Sequence, residues 1–297
     1  MQSRFALSPE QIARFREDGF LAIHGLTTAD EIERLRGIYD GLFEGKIGYE
    51  RGRQFDMVSP DDNCARPALS QILNPVEFAP ELRETLFRKS ALVVAQQLLG
   101  AEATLWFEHA ISKPAQHGAA TPWHQDEAHR NDPGVAYEQV SFWLPLQDAT
   151  VENGCLRYIA GSHRGPVLTH RSPNNDKRIM ALECAAEFDR AREIYVPLKV
   201  GEAVVHPSRT LHGAGPNQTG TARRAYIVAF RGPVRPAPEF RGYPWNLEKQ
   251  TAAEARARAW EDRGGTFGRT ARALGEALGR FAGKFQHKAE KLMGWEK

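Results

Sequence analysis

The sequence predicts an α+β fold that is mainly β, with a sandwich or barrel in the middle of the chain and helices on either side. Between residues 103 and 232, short runs of β-branched and aromatic residues are separated by glycine, proline and asparagine, which is typical of antiparallel β structure. Before residue 100 and after about residue 246, apolar residues recur at helical spacing. With 297 residues, of which 41% are hydrophobic, the chain can bury a sizeable core.

Signals for helix termini divide the N-terminal part of the chain. The SPEQ segment at residues 8–11 is a capping box with proline at the first helical position, so a helix is expected to begin there. Residues 20–24 then predict a short strand, and a second capping box opens an amphipathic helix over residues 28–43. Residues 44–70 lack any apolar period and predict a loop, whereas residues 80–99 predict a third helix.

The middle region contains five predicted strands and one long polar insertion. The strands are ATLWFEHAISK, EQVSFWLPLQDA, CLRYIAGSH, EAVVHP and RRAYIVAFRG. Residues 164–194 separate the third strand from the fourth, and loops of that length often cover a binding site. We therefore expect residues 44–70 and 164–194 to act as lids that carry specificity.

The C-terminal part of the chain is predicted to be helical. Its apolar residues share one helix face, which favours packing or a subunit contact: Leu274, Leu278, Phe281, Phe285 and Leu292. We predict one domain over residues 1–245, with a β core at about 103–232, followed by a helical extension over residues 246–297. The extension is a candidate contact for a homodimer.

Charge and cysteine content exclude several classes of protein. The chain has 39 Lys and Arg against 37 Asp and Glu, and a net charge of +2 argues against a nucleic-acid partner. No apolar run reaches the roughly 18–20 residues of a membrane span, and the N-terminal residues do not resemble a secretory signal. The 3 cysteines form no CxxC pair, which indicates reduced thiols. A cytoplasmic protein is expected.

A candidate metal-binding pair lies in the segment TPWHQDEAH. Among the 10 histidines, only His124 has a carboxylate two positions later, Asp126. Side chains at i and i+2 of an extended segment point the same way, so the pair can bind one metal ion. An imidazole and a carboxylate suit iron, manganese or zinc. The alternative is a hydrogen-bonded Asp–His pair without a metal.

Two later histidines compete for the position of third ligand. His206 ends an apolar strand before Pro207, where a structural role is plausible, whereas His212 lies in a glycine-flanked stretch that permits a close approach. We favour His212. With His124 and Asp126, it would form the two-histidine, one-carboxylate triad of non-haem iron(II) oxygenases, which leaves positions open. A structural zinc site would normally add a fourth protein ligand.

An arginine pair follows at the start of the last predicted strand. A guanidinium can bind a carboxylate through two parallel hydrogen bonds. A 2-oxo acid that chelates iron through its keto and C1 oxygens needs such a partner for its distal carboxylate, and we favour Arg223. Arg224 should point to the opposite face of the strand.

Three motifs together resemble one known family. WHQD, FWLPLQDATVENGCLRYIAGSH and LHGAGPNQTGTARRAY occur in the order and spacing of the phytanoyl-CoA dioxygenase (PhyH) family, and the resemblance extends over about residues 8–232. It implies a double-stranded β-helix (jelly-roll, cupin-like) core with N-terminal helices packed on it. It also implies a dioxygenase that depends on Fe(II), 2-oxoglutarate and O2, with ascorbate as a candidate stimulant.

The resemblance assigns roles to individual residues and no catalytic residue beyond the metal centre. The implied iron ligands are His124, Asp126 and His212. Four residues match family positions at 2-oxoglutarate: Arg223, Trp143, His109 and Gln71. Of these, Arg223 is the implied partner of the C5 carboxylate. Ala214 stands where some members have a serine that hydrogen-bonds the cosubstrate, so this contact is expected to be missing.

The primary substrate is the least constrained part of the prediction. Aromatic residues near the motifs favour a hydrophobic small molecule, a natural-product intermediate or a lipid, hydroxylated at an unactivated C–H bond with release of succinate and CO2. The candidate pocket residues are Trp123, Phe107 and Tyr137, with Trp106 and Phe142 nearby. Two alternatives stay open: desaturation, epoxidation or another oxidative rearrangement by the same family, and a β-helix protein that binds a metal or ligand without turnover.

Overall fold

Two antiparallel sheets face each other, and helices cover the outer face of the larger sheet. The computed structural model describes residues 5–60, 66–130, 134–237 and 242–264. The helices are α1 (Pro9–Asp18), α2 (Ala29–Glu44), α3 (Leu86–Leu99), α4 (Pro244–Leu247) and α5 (Ala252–Asp262). The strands are β1 (Leu21–Ile23), β2 (Gln54–Asp56), β3 (Ser70–Leu73), β4 (Thr104–Lys113), β5 (Thr121–His124), β6 (Val135–Ala136), β7 (Gln139–Pro145), β8 (Leu156–Ile159), β9 (His170–Arg171), β10 (Glu183–Cys184), β11 (Glu193–Val196), β12 (Ala203–Pro207), β13 (His212–Ala214), β14 (Arg223–Arg231) and β15 (Arg235–Pro236).

The two sheets have the crossed strand order of a double-stranded β-helix. The larger sheet has seven strands in the order β1-β12-β7-β14-β4-β3-β2, and the smaller has four in the order β11-β8-β13-β5. Apart from β2, β3 and β4, neighbouring strands are not consecutive in the chain, so the chain crosses between the sheets repeatedly. The predicted fold class, mainly β with flanking helices and a double-stranded β-helix core, is confirmed.

Strand alternation gives the larger sheet two different faces. Along β14, Tyr226, Val228 and Phe230 pack in the cluster that contains the helices, whereas Ala225 and Ile227 pack in the cluster between the two sheets. The same alternation holds for every long strand of this sheet, because successive side chains of a strand point to opposite faces. Helix packing and the interior of the β-helix are thus built from the same strands.

The N-terminal helices begin where the capping residues predict. The Ser8 side chain accepts from Gln11 N in a complete capping box, and Gly19 ends α1 with a φ of 80°. The predicted third helix begins later than expected, because residues 80–84 form a 3-10 turn and the Thr85 side chain caps α3. The predicted loop over residues 44–70 also contains β2, which pairs with β3.

The segment after residue 243 packs on the rest of the protein. Trp245 and Asn246 donate hydrogen bonds to the carbonyl of Ala128, and the Arg256 guanidinium on α5 donates to Tyr49 O and stacks on its ring at 3.7 Å. The predicted apolar face from Leu274 to Leu292 and its homodimer contact lie outside the described residues. Within the described ranges, no helix is long and apolar enough to cross a membrane.

A buried carboxylate joins α2 to the beginning of α3. Glu31 accepts hydrogen bonds from Leu86 N (2.7 Å) and Phe87 N (2.9 Å), and from the Thr27 hydroxyl (2.6 Å). The first N–H groups of a helix have no partner within the helix, and a negative charge is favourable at that end. Glu31 therefore fixes the position of α3 against α2.

Replacing this carboxylate should destabilise the fold. We expect Glu31→Ala to lower the free energy of unfolding by about 1–3 kcal/mol, because buried N–H donors at α3 lose their acceptor. Denaturant titration measures the difference. The matched control is Glu33→Ala on the same helix, since the Glu33 side chain is 74% exposed and should change little. An equal loss in both variants would contradict this role of Glu31.

Candidate active site

Three side chains with metal-binding atoms meet on the inner side of the smaller sheet. One ligand atom from each of His124, Asp126 and His212 lies within 4.8 Å of the other two. His124 ends β5 and His212 begins β13, and the two are directly opposite each other in the strand pairing. The two imidazole centroids are 4.3 Å apart. The strand ends at His124, and an extended Gln125 carries the chain to Asp126, so the i and i+2 side chains still converge.

Backbone carbonyls orient both histidines of this group. His124 Nδ1 lies 2.9 Å from Pro122 O, and His212 Nδ1 lies 2.9 Å from Thr210 O. We assign the proton of each ring to Nδ1, because only an N–H can donate to a carbonyl. Each Nε2 then presents its lone pair toward Asp126, which is the arrangement of metal-bound histidines.

The two oxygens of Asp126 have different surroundings. Oδ1 lies 3.6 Å from His124 Nε2 and 3.7 Å from His212 Nε2. Oδ2 accepts from the Ser141 hydroxyl at 2.8 Å and faces His206 Nε2 at 3.4 Å. One oxygen is therefore held by the protein, and the other is directed toward the histidine pair.

Charge states in this group suit a divalent metal. Burial alone would raise the pKa of Asp126, but the interactions with His124, His206 and His212 dominate and hold that pKa well below its ordinary value. Burial lowers the pKa of His212 well below its ordinary value, and the neighbouring His124 and His206 lower it further. At neutral pH the group thus offers an ionised carboxylate and a neutral His212, the protonation states that metal binding requires.

His206 lies outside this group, behind the carboxylate. Its Nε2 faces Oδ2 of Asp126, and its Nδ1 lies 3.0 Å from the Tyr158 hydroxyl. Its Nδ1 is thereby hydrogen-bonded, whereas its Nε2 faces Asp126 without a hydrogen-bond partner among the described residues. The group of mutually close ligand atoms therefore contains His212, and His206 lies beside it.

A buried guanidinium lies on the inner face of the larger sheet. Arg223 is 1% exposed. Its guanidinium carbon lies over the ring of Trp143, 5.2 Å from the ring centroid. Its Nε and Nη1 are buried and lack a hydrogen-bond partner among the described residues. Burial lowers the pKa of Arg223 to about 10, so the group remains charged at neutral pH. A buried, unpaired charge is strongly unfavourable until an anion binds it.

Gln71 and His109 occupy neighbouring strands of the same face. His109 on β4 is opposite Leu73 on β3 and Ile227 on β14, and Gln71 is opposite Ile111. Gln71 Oε1 and His109 Nδ1 are both buried without a hydrogen-bond partner in the described part of the chain. Together with Arg223, these atoms suit a small polar molecule such as a 2-oxo dicarboxylic acid. Burial lowers the pKa of His109 to about 4, so its ring is neutral.

The predicted pocket aromatics divide between the two faces of the strands. Phe107 is on the inner face, where its ring stacks on His109 with centroids 5.3 Å apart. Tyr137 packs edge-on against Trp106 at 5.8 Å, at the end of the strands that lies beyond Phe107. Arg231 stacks on Trp106 at 3.9 Å.

Two of the sequence predictions for aromatic residues need correction. Trp123 precedes His124 on β5 and therefore points to the outer face of the smaller sheet, where it contacts Phe188 and Arg157. Phe142 points to the helix side of β7 and packs edge-on against Phe230 at 5.7 Å. Neither ring lines an approach to the metal group, because strand alternation turns both away from it.

The residue between the two ligands has a role that sequence reasoning missed. Gln125 N donates to His170 Nε2 at 3.1 Å, and the Gln125 side chain donates to Pro166 O and Arg209 O and accepts from Leu168 N. Gln125 thus ties the metal-binding segment to the loop over residues 164–194. Ser141 was also missed, although it shares a strand face with Trp143 and could have been found from the alternation of β7.

These features define a class of protein. Two histidines and a carboxylate inside a double-stranded β-helix, with a buried unpaired arginine on the facing sheet, are the features of non-haem iron oxygenases that use a 2-oxo acid. The family model of Phytanoyl-CoA dioxygenase (PhyH) matches residues 15–225. The chain belongs to this family, and it is an Fe(II)- and 2-oxoglutarate-dependent dioxygenase.

Individual relatives agree with this class. The structure of EvdO2 from Micromonospora carbonacea var. aurantiaca complexed with 2-oxoglutarate is 35% identical, covers 81% of this chain and 97% of that chain, and has a TM-score of 0.68. A probable alpha-ketoglutarate-dependent hypophosphite dioxygenase from Stutzerimonas stutzeri is 24% identical over 74% of this chain and 77% of that protein. L-proline trans-4-hydroxylase from Streptomyces griseoviridis is 31% identical over 55% of this chain and 59% of that protein.

The two competing histidines should respond differently to substitution. We expect His212→Ala to lose most of its affinity for Fe(II), because a direct ligand atom is removed. His206→Ala should still bind the metal, with a loss of no more than about 10- to 100-fold, since it removes only a group that supports Asp126. Anaerobic titration with Fe(II), or with Mn(II) as a redox-inert substitute, measures both. The reverse order of effects would contradict His212 as the ligand.

Proposed function

We propose that this dioxygenase hydroxylates an unactivated C–H bond of a hydrophobic small molecule, with release of succinate and CO2. The substrate class we propose is a natural-product intermediate or a lipid. The observation that carries the proposal is Phe107, whose ring lies on the inner face of β4 and offers an apolar surface against His109, a residue close enough to Asp126 and His124 to interact with them electrostatically. The Trp106–Tyr137 pair extends aromatic surface to the adjoining end of the strands.

We further propose that His124, Asp126 and His212 bind the iron through Nε2, Oδ1 and Nε2. The carbonyls of Pro122 and Thr210 hold the two imidazoles in the required tautomer. The Ser141 hydroxyl fixes the Asp126 carboxylate by binding its other oxygen. These contacts leave only one carboxylate oxygen for the metal, so positions on the metal stay free for the cosubstrate and dioxygen.

The cosubstrate is proposed to lie between the metal group and Arg223. When bound, iron and 2-oxoglutarate would supply the electrons that reduce dioxygen, so that one oxygen atom ends in the hydroxylated product and the other in succinate. Arg223 binds the C5 carboxylate and so fixes the direction of the 2-oxo acid relative to the triad. Trp143 lies against the guanidinium and keeps that end of the pocket apolar and dry. Gln71 and His109 line the wall between the two ends.

The loops over residues 44–70 and 164–194 are proposed to close the site. Ala181 N donates to Met57 O at 2.7 Å, so the two loops are in direct contact. Lys249 Nζ donates to three successive carbonyls of the second loop, at Ile179, Met180 and Ala181. A closed pair of loops excludes water from the reacting groups. Cys155 and Cys184 are free thiols, which fits the reducing cytoplasm that we propose as the compartment.

Product analysis tests the proposed reaction. Protein with Fe(II), 2-oxoglutarate and ascorbate is incubated with a panel of apolar natural products and lipids, and succinate and product mass are measured together. We expect succinate in proportion to a product that is one oxygen atom heavier than its substrate, and no product from His212→Ala. A product that has lost two hydrogens, or that has rearranged at constant oxygen content, contradicts hydroxylation. Metal binding with no succinate formed from any substrate would contradict catalytic turnover.

The two adjacent arginines test the cosubstrate site. Arg223→Ala should raise the 2-oxoglutarate concentration needed for half-saturation by at least about 30-fold, since truncating a buried charged partner costs about 2 kcal/mol or more. Arg224→Ala is the matched control, because Arg224 points outward and pairs with Asp40 through its Nε at 2.7 Å. An unchanged requirement in Arg223→Ala would place the carboxylate elsewhere.

A further inference from the structure

We propose that Lys113 is a second cation for the C5 carboxylate of 2-oxoglutarate, which it binds together with Arg223. This inference rests on the role proposed for Arg223. It adds a residue on a different strand, at the end of the run ATLWFEHAISK and outside the three motifs of the family resemblance.

The strand register places the two cations side by side. Lys113 is the last residue of β4 and Arg223 is the first residue of β14, and they are directly opposite each other in the antiparallel pair. Side chains of directly opposite residues project from the same face of a sheet. Ile111 on β4 and Ala225 on β14 belong to the cluster between the two sheets, so this is the inner face.

Both cations are buried, and neither has an acidic partner. Lys113 is 0% exposed and Arg223 is 1% exposed. Within the described ranges, no carboxylate forms an ion pair with either of them. Lys113 Nζ donates to Gly215 O at 2.6 Å, which uses one of the three donors of an ammonium group. Arg223 Nε and Nη1 have no partner in the same part of the chain.

Two adjacent buried cations are unfavourable unless an anion lies between them. Burial, together with the nearby Arg223 and Arg157, lowers the pKa of Lys113 well below its ordinary value. A carboxylate within reach of both groups would offset the mutual repulsion and the lost hydration at once. The distal carboxylate of 2-oxoglutarate is the anion that Arg223 already requires, so it is the occupant that the geometry favours.

Hydrogen bonding alone accounts for Lys113 less well. If the residue served only to hold the Gly215 carbonyl, a neutral donor such as glutamine would suffice, and a buried amine beside a guanidinium would bring an avoidable electrostatic penalty. Asn217 already joins this turn to β4, because its side-chain amide donates to Lys113 O and Pro114 O. The position of Gly215 therefore does not depend on the lysine side chain alone.

A pair of 2-oxo acids isolates the contribution of the distal carboxylate. 2-Oxopentanoate has the keto and C1 carboxylate groups of 2-oxoglutarate and the same chain length, but it lacks the C5 carboxylate. Binding of each acid to the Fe(II)-loaded full chain is measured without oxygen, by the visible charge-transfer absorption of the chelate. Calorimetry with Mn(II)-loaded protein provides an independent dissociation constant. Neither readout requires turnover.

Substitution of Lys113 should lower the affinity for 2-oxoglutarate and leave the affinity for 2-oxopentanoate unchanged. We expect Lys113→Met to weaken the binding of 2-oxoglutarate by about 10- to 100-fold, the loss expected for a hydrogen bond to a charged group. The affinity for 2-oxopentanoate should not change. Lys113→Gln keeps a donor for Gly215 O but no charge, and it should show the same selective loss. Lys199→Met is the surface control, because Lys199 is paired with Asp148 in solvent.

The outcomes separate this inference from the role of Arg223. If Lys113→Gln weakens the binding of both acids equally, or of neither, Lys113 does not bind the distal carboxylate and the proposal is wrong. If Arg223→Ala loses the preference for 2-oxoglutarate while both Lys113 variants keep it, Arg223 alone is the partner. If the wild-type protein does not prefer 2-oxoglutarate over 2-oxopentanoate, the role of Arg223 fails as well.

Discussion

Strand alternation in the seven-stranded sheet is the constraint on which the rest of the structure depends. On β7, Phe142 and Leu144 face the helices, and Ser141 and Trp143 face the smaller sheet. The helix side is apolar and holds α2 and α3 in place, so the sheet cannot shift by one residue without burying its polar side chains under helices. The inner face can therefore hold Gln71, His109 and Arg223 in fixed positions, although buried polar side chains destabilise the interior of a protein.

The two ends of the site differ in how completely their polar groups are hydrogen-bonded. At the metal group, the Ser141 hydroxyl binds Asp126 and backbone carbonyls bind the two imidazoles, so these side chains are oriented before any metal binds. Around Arg223, buried donors lack partners in the described residues. An oriented metal-binding group at one end and an unpaired cation at the other suit a site that binds both a metal ion and an anion.

Much of the fold could be predicted from sequence because its signals are local. Capping residues at Ser8 and Thr28 marked two helices, and β-branched runs marked the long strands. The weaker predictions concern segments whose structure depends on distant partners. β2 is a strand because it pairs with β3, and nothing in its own three residues predicts that. The helix α3 begins later than predicted because Thr85 caps it, and the preceding residues Pro80–Glu84 form a 3-10 turn.

Strand alternation explains where the predicted site residues lie. Trp123 and Phe142 were placed near the metal from their position in the sequence, yet each is next to a residue that faces inward and must itself face outward. His109 and Phe107, which were predicted on separate grounds, share the inner face, and their rings stack there. Gln125 could not be recognised from sequence, because its partners at Pro166, Leu168 and Arg209 come from two distant loops.

The sequence by itself determined the kind of chemistry: a histidine and a carboxylate two residues apart, a later histidine and a later arginine, all without cysteine. That information is local, since i and i+2 on an extended chain project to one side wherever the segment lies. The tertiary structure decided that His212, and not His206, lies in one group with His124 and Asp126, and that Lys113 lies opposite Arg223. Those contacts depend on the register between β5 and β13 and between β4 and β14. Register is a property of paired strands that are distant in sequence, and neither strand alone specifies it.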